Sequence, residues 1–222
     1  MSMPTRWLAS LAALWVLGLA LLDVVGPGIA ADKDEKVSPE QKAAREQALA
    51  SVQQIADMLG DDKKAEDIQK KAKELADSMI KLDFGVQAVE PIMAPLKLRS
   101  KGGMGIGAKA GVYDPDGIEA KIIGLAKKKL TAGEIKNQAD DIAKLAKITA
   151  AVAEVSALHK PEKKVADKKP EDWAKWSKDM RESALALADQ VKAAKPDPDA
   201  IKKTATKLNG TCTDCHDKFR PK

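Results

Sequence analysis

Apolar residues recur at helical spacing in three separate segments, and this periodicity constrains the fold more than any other feature of the sequence. In each segment an Ile, an Ala and then a Leu or Ile occupy positions i, i+4 and i+7, which lie on one face of an α-helix. The three sets are Ile68, Ala72 and Leu75; Ile135, Ala139 and Ile142; and Ile201, Ala205 and Leu208. Only 3% of the residues are aromatic, while 32% are charged. Since no segment has the pattern of a strand, the sequence predicts an all-α fold.

Helix start and stop signals divide the chain into six predicted helices. Ser38 and Thr131 each precede a Gln or Glu by three residues, which is the spacing of a capping box. The predicted helices span 39–59, 63–82, 117–129, 131–158, 170–195 and 197–219. A broken helical turn is expected within 83–95. The glycine-rich segment 96–117 lacks the spacing of a phosphate-binding loop, so we predict a surface connection there.

The first 30 residues have the pattern of an export signal. Arg6 is followed by an apolar run from Trp7 to Leu22, and small residues precede the charged sequence that begins at Asp32. Cleavage is expected after Ala30, and an uncleaved anchor helix is the alternative. We therefore expect a periplasmic protein that has no stable membrane association once the signal is removed.

Both cysteines of the chain lie in the stretch C-T-D-C-H, in which His216 directly follows Cys215. A thioredoxin-like redox pair would need a preceding strand, and a zinc site would need two further ligands. A disulfide between Cys212 and Cys215 would close a very short loop and stabilise little. In c-type haem attachment, the two thiols add to the haem vinyl groups and the adjacent imidazole binds the iron. Because this attachment takes place outside the cytoplasm, export agrees with it, and the motif favours one covalently attached haem c over the other three readings.

The charge distribution argues against nucleic-acid binding. The net charge is +5, and the 38 basic residues are mixed with 33 acidic ones. No basic block with interleaved aromatic residues is present, so most lysines are expected to form solvated helix faces. A basic face that docks an acidic partner protein is compatible with this pattern.

The C-terminal segment that begins PEDWAKW resembles the last two helices of class II c-type cytochromes, the cytochrome c′ and cytochrome c-556 group. The resemblance comprises a Trp-containing helix, a short Asp/Pro turn and the pattern C-x-x-C-H-x-x-F-R. It implies that Cys212 and Cys215 hold the haem by thioether bonds and that His216 is the proximal iron ligand. Arg220 matches an Arg that lies beside this ligand in several members of the family.

The resemblance also implies an antiparallel four-helix bundle as the core of the fold. Residues 117–222 are predicted to form this cytochrome c′-like region. Residues 31–116 exceed what a simple family member needs, so we predict an additional N-terminal helical hairpin and the glycine-rich loop there, after a signal peptide at 1–30.

Bundle topology predicts which residues lie near the haem. In an up-down bundle, the end of the last helix is shared by the starts of the odd-numbered helices and the ends of the even-numbered ones. Trp173, Trp176 and Met180 lie near the start of the fifth predicted helix and are expected to face the haem or the adjacent core. Of these, Trp176 is the one predicted to contact the cofactor.

The sixth iron position separates two functions. A Met ligand suits a one-electron carrier, whereas an open position suits the binding of NO or CO, as in cytochrome c′. We expect Met93 to be the ligand, because the helix break before it leaves its side chain free to turn. Met79 and His159 are the alternatives, although a surface position is the default expectation for His159.

The sequence as a whole predicts a periplasmic monohaem c-type cytochrome that exchanges one electron with redox partner proteins. Binding of NO or CO is the alternative function, and no enzymatic activity is expected. Class II cytochromes often dimerise through their first helices, so a homodimer is one candidate assembly.

Overall fold

Seven α-helices make up the regular structure of the residues that a computed structural model describes, namely 38–80, 89–160 and 169–219. The helices are α1 (Pro39–Met58), α2 (Ala65–Ile80), α3 (Glu90–Met93), α4 (Ile118–Lys127), α5 (Ala132–Ala157), α6 (Pro170–Lys192) and α7 (Pro198–Phe219). These ranges contain no β-strand. All described residues belong to one compact unit, Val37–Lys222. The prediction of an all-α fold is therefore confirmed.

The two predicted capping boxes are present and fix the starts of α1 and α5. The Gln41 backbone N–H donates to Ser38 Oγ at 3.2 Å, and the Ser38 N–H donates to Gln41 Oε1 at 2.9 Å. The same reciprocal pair joins Thr131 and Glu134, at 3.2 and 2.8 Å. Each box satisfies two backbone donors that the first turn of a helix leaves open, which is why these short sequence signals predicted both helix starts correctly.

The additional N-terminal hairpin consists of α1 and α2, which run antiparallel. Gln47 near the start of α1 donates to Ser78 near the end of α2 at 3.1 Å, and Lys71 donates to Gln54 at 2.9 Å. Both helices pack against α5. The predicted hairpin is therefore confirmed, although the predicted end of its second helix at 82 lies outside the described residues.

The bundle that contains α4, α5, α6 and α7 is also antiparallel. Trp173 at the start of α6 contacts Ser156 at the end of α5, whereas Lys192 at the end of α6 pairs with Asp140 near the start of α5. A five-residue connection, 193–197, then turns the chain back into α7, which packs along α6. The short helix α4 packs along the other side of α7.

Helix α5 lies at the centre of the molecule. Every residue in 148–153 is at most 2% exposed. Consecutive residues of an α-helix point about 100° apart, so six buried residues in a row span the whole circumference. This burial agrees with the packing partners of α5, which are α6 and the hairpin helices α1 and α2.

The glycine-rich connection is exposed over 108–112, as a surface connection would be, but other parts of it are buried. Gly103, Gly105 and Ile106 are buried, and Arg99 forms an ion pair with Asp116 at 2.7 Å across the loop. The one-turn helix α3 and a following 3-10 turn (Ala94–Leu96) lead into this loop. The first part of the predicted broken turn, 83–88, lies outside the described residues.

Among the helices of the described ranges, none combines the length and the apolar character that crossing a membrane requires. The predicted signal peptide and its cleavage position lie outside these ranges.

Candidate functional site

Helix α7 places Cys212, Cys215 and His216 of the C-T-D-C-H stretch on one face. Cys212 and Cys215 are three residues apart, and His216 is four residues from Cys212, so the side chains follow one another along the same side of the helix. All three are partly buried, and neither thiol is in a disulfide. The helix is continuous through the motif, which fixes the relative directions of the two thiols and the imidazole.

The environment of the two thiols favours their neutral form. Burial raises the pKa of Cys212 to about 12, with a further contribution from the carboxylate of Glu119, and burial raises the pKa of Cys215 to about 11. Reactive CxxC pairs and zinc ligands depend on the thiolate and therefore on a lowered pKa. The described residues also contain no group of three or more His, Cys, Asp or Glu side chains that could hold a metal ion.

The first turn of α4 lies beside Cys212. Near the other end of α4, Thr206 Oγ1 donates to the Ala126 carbonyl at 3.3 Å, and Lys129 pairs with Asp199 at 2.6 Å. Helix α4 therefore runs antiparallel to α7, and the electrostatic effect of Glu119 on Cys212 marks its start. Glu119 was not identified from the sequence, because only the packing of α4 on α7 brings these distant segments together.

The first turns of α6 lie beside the rest of the motif. The pKa of Lys175 is raised, first by its hydrogen bond to Asp179 and also by the nearby carboxylate of Asp214. Asp214 stands between the two cysteines in the sequence, so residues around Lys175 are level with the motif. This arrangement agrees with the predicted topology, in which the start of the fifth predicted helix meets the end of the last.

The predicted trio at the start of α6 is largely buried. Trp173 and Met180 are 6% and 7% exposed, and Trp176 is partly exposed. The Trp173 indole N–H donates to the Ser156 carbonyl at 2.7 Å, which joins α6 to the last turn of α5. Arg220, the other residue predicted to lie near the cofactor, is outside the described residues.

The three candidates for the sixth iron ligand lie on other elements. Met79, on α2, is fully buried in the apolar core, and Met93, on α3, packs against the same core while partly exposed. The main packing partner of α3 among the helices is α1, followed by α5, whereas α7 packs chiefly on α6 and α4. The described packing thus does not bring α3 onto the helix that contains the motif.

His159 follows the end of α5 and is half-buried, between the exposed residues Leu158 and Lys160. Its Nδ1 atom lies 3.4 Å from the Val155 carbonyl oxygen. Its Nε2 atom is buried and has no hydrogen-bond partner among the described residues. Burial lowers the pKa of this imidazole, so the neutral form is favoured.

The donor set on α7 fits a covalently bound haem. Two thiols on one helix face can each form a thioether, and an imidazole next to the second thiol can bind the iron from the same side. Buried aromatic and apolar residues of α6 line the adjoining core, as a large apolar ring system requires. The fold and this donor set together define the class of helical-bundle c-type haem proteins.

Comparison with known families agrees with this class. Residues 120–220 match the family model described as Cytochrome C′, and the match spans nearly all of α4 and the whole of α5, α6 and α7. This C-terminal region of the chain is therefore similar to the cytochrome c′ family, whose members bind haem c. Comparisons with curated proteins and with solved structures gave no match. The resemblance stated from the sequence is thus confirmed at the level of the family.

Proposed function

We propose that the protein is an exported c-type cytochrome with one haem, and that it transfers single electrons rather than catalysing a reaction. The observation that supports this most strongly is the position of the C-T-D-C-H stretch, on the last helix of a bundle that matches the cytochrome c′ family. A bound haem would supply an iron that alternates between the ferric and ferrous states.

In this proposal the chain holds, orients and shields the cofactor. Cys212 and Cys215 fix the haem by thioether bonds, and His216 is the proximal ligand. Trp176, partly exposed on α6, is the proposed contact to the ring. The role of Arg220 beside the proximal ligand is proposed from the family resemblance alone. The rigid helix α7 sets the angle between attachment and ligation, so that little reorganisation accompanies a change of oxidation state.

Covalent attachment is tested by extraction and mass. Acid–acetone treatment should leave the haem on the purified protein, and intact-mass analysis should show one haem per chain. Cys212→Ala and Cys215→Ala should each reduce or abolish haem retention. Thr213→Ala changes an exposed residue between the two thiols and should retain the haem fully. Freely extractable haem, or a protein that contains zinc and no iron, would overturn the proposal.

We further propose that a methionine is the sixth ligand, with Met93 ahead of Met79, and that His159 is the alternative. The short helix α3 supports Met93, because a residue at the end of a single turn can change direction more readily than one inside a long helix. A thioether ligand favours reduced iron and blocks small ligands, which suits an electron carrier.

Absorption spectra of the wild type and two variants test this ligand. A low-spin spectrum with the weak far-red band of methionine-bound ferric haem should be lost in Met93→Ala and retained in Met79→Ala. The reverse result would assign Met79. An unchanged low-spin spectrum in both variants would overturn the methionine assignment and point to His159.

Binding of NO or CO is the second candidate function, and one observation favours it. Helix α7 packs chiefly on α4 and α6, whereas the two candidate methionines pack on the side of α1 and α5. An iron with no protein ligand in the sixth position would be high-spin and open to small gases. A high-spin spectrum with rapid CO binding to the reduced wild type would select this function over electron transfer.

The proposed location is the periplasm, after cleavage of the signal at Ala30. Mass spectrometry of the mature protein should find its N-terminus at Ala31 or Asp32, and recovery only from membranes would contradict cleavage.

The expected partners are redox proteins, with no nucleic acid. Light scattering decides between a monomer and the homodimers that the family often forms. A homodimer is the candidate assembly, because class II cytochromes often dimerise through their first helices.

A further inference from the structure

The glycine-rich connection is organised around the side chain of Arg99. Its Nε atom donates to Asp116 at 2.7 Å, and its Nη2 atom donates to the carbonyl oxygens of Ile106 and Gly107 at 3.3 and 3.1 Å. The other carboxylate oxygen of Asp116 accepts the Ile106 backbone N–H at 2.6 Å. One guanidinium and one carboxylate therefore hold three separate parts of the loop together.

The guanidinium of Arg99 lies directly against the backbone of Gly105. Gly105 has a φ of +68°, and a Cβ atom at this position would lie 2.4 Å from Arg99 Nε. Glycine is thus required both for the backbone conformation and for the close approach of Arg99. The planar, five-donor guanidinium is suited to such a site, whereas a lysine would keep only a single charged donor group.

The same residues fix where α4 begins. The Arg99 backbone N–H donates to the Asp116 carbonyl at 2.8 Å, and Leu98 and Gly117 form an antiparallel bridge. Ile118, the first residue of α4, is completely buried. Helix α4 has no side-chain cap at its N-terminus, so the loop provides the restraint that a capping residue would otherwise give.

This start of α4 is the part of the helix that lies beside the proposed haem-attachment motif, because α4 packs antiparallel on α7, with Ala126 near its end accepting from Thr206 and Lys129 pairing with Asp199. A second contact fixes the loop elsewhere: the Tyr113 hydroxyl donates to Asp141 of α5 at 2.7 Å. Loss of the Arg99 contacts should therefore loosen the start of α4 without detaching the whole loop.

We propose that Arg99 is a positioning residue for the haem site: with Asp116 it holds the first turn of α4 against the segment of α7 that contains Cys212, and so restricts the access of external ligands to the iron. The inference rests on the proposed haem attachment at this motif. Arg99 acts through α4 and does not itself touch the cofactor.

The test compares Arg99→Ala with the wild type as purified holoproteins. The rate of cyanide association with the ferric haem should rise about threefold to tenfold, because losing one hydrogen bond of ordinary net strength shifts a local opening equilibrium by about that factor. Hydrogen exchange followed by mass spectrometry should show faster exchange in peptides that cover 118–122, with α1 and α2 unchanged. Lys192→Ala is the matched control, since it breaks an ion pair of 2.6 Å at the opposite end of the bundle and should change neither measurement.

Arg99→Lys keeps the positive charge but loses the planar guanidinium with its several donors. It serves as the second variant if Arg99→Ala does not accumulate. It should give an intermediate cyanide rate. Wild-type cyanide kinetics in a variant that retains its haem would overturn the positioning role, as would faster exchange spread evenly over all helices. If the wild type itself has no attached haem, the proposed function fails instead, and the exchange of 118–122 still reports whether Arg99 holds α4.

Discussion

The central position of α5 predicts how an enlarged side chain on this helix changes the free energy of unfolding. The sign of that change depends on how closely α5 is packed. Ala150, Ala151 and Ala153 are each at most 1% exposed, and they point in three different directions around the helix. We propose to replace each of them by Leu, one at a time. Ala50, an exposed residue within α1, provides the matched control, because the same change there adds the same three carbon atoms on a helix surface.

The magnitude follows from the space around each side chain. In an open apolar groove, three additional buried carbons would stabilise the protein by up to about 2 kcal/mol. In a closed interior the same atoms force neighbouring side chains and helices apart, which costs about 1–3 kcal/mol. Because residues on every side of α5 are buried, we expect all three variants to be destabilised by about 1–3 kcal/mol.

Urea denaturation followed by far-UV circular dichroism measures the free energy of unfolding of each variant. Ala50→Leu should change this free energy by less than about 0.5 kcal/mol, as is usual for surface substitutions. A clear increase in stability at any one of the three α5 positions would refute the reasoning. It would mean that one side of α5 is open in solution and that a helix shown against it, in the hairpin or in the bundle, does not pack there.

Three further changes test other parts of the fold. Trp173→Phe removes the indole N–H that donates to a buried carbonyl of α5, and thermal unfolding should show a loss of about 1–2 kcal/mol. Gly103→Ala would put a Cβ atom 2.0 Å from a backbone oxygen, so urea denaturation should show a loss of about 1–3 kcal/mol, whereas Gly124→Ala, with open space around it, should be neutral or stabilising. The backbone hydrogen bond from Thr131 is the main cause that lowers the pKa of Glu134 to about 2 from a usual 4.5. The ionised Glu134 carboxylate should therefore stabilise the fold fully above pH 4.5, and this stabilisation should disappear as the pH falls through 2. In urea titrations, the difference in unfolding free energy between the wild type and Glu134→Gln should shrink over that pH range.

Local signals account for the parts of the fold that the sequence predicted well. Ser38 and Thr131 satisfy backbone donors only three residues away, so their effect is visible in four consecutive letters of sequence. The apolar periodicity likewise depends on neighbours within one helix. These interactions have short range along the chain, and this explains why helix starts were predicted more accurately than the end of α6, which falls at Lys192 instead of 195.

Contacts between distant segments account for what was missed. Arg99 and Asp116 are 17 residues apart in a stretch without periodicity, so nothing local indicated that they would pair and bury part of the loop. Glu119 approaches Cys212 only because α4 packs on α7. The half-buried state of His159 is a further case, because the composition around it is that of a charged linker, while its Nε2 atom is buried in the folded chain.

The proposed attachment residues and the proposed sixth ligand differ in predictability for a physical reason. Cys212, Cys215 and His216 lie within about one turn of one helix, so the pattern they form can be recognised in the sequence itself. A sixth ligand has to come from another element, and its identity depends on how helices pack at one end of the molecule. Here α7 packs chiefly on α4 and α6, while the hairpin packs on α5. Met79 and Met93 lie on α2 and α3, which pack on α1 and α5, whereas α4 packs directly on α7. The extent to which the first turn of α4 covers the haem therefore bears on both candidate functions, since a well-held α4 would protect an electron carrier and a mobile one would admit a gas.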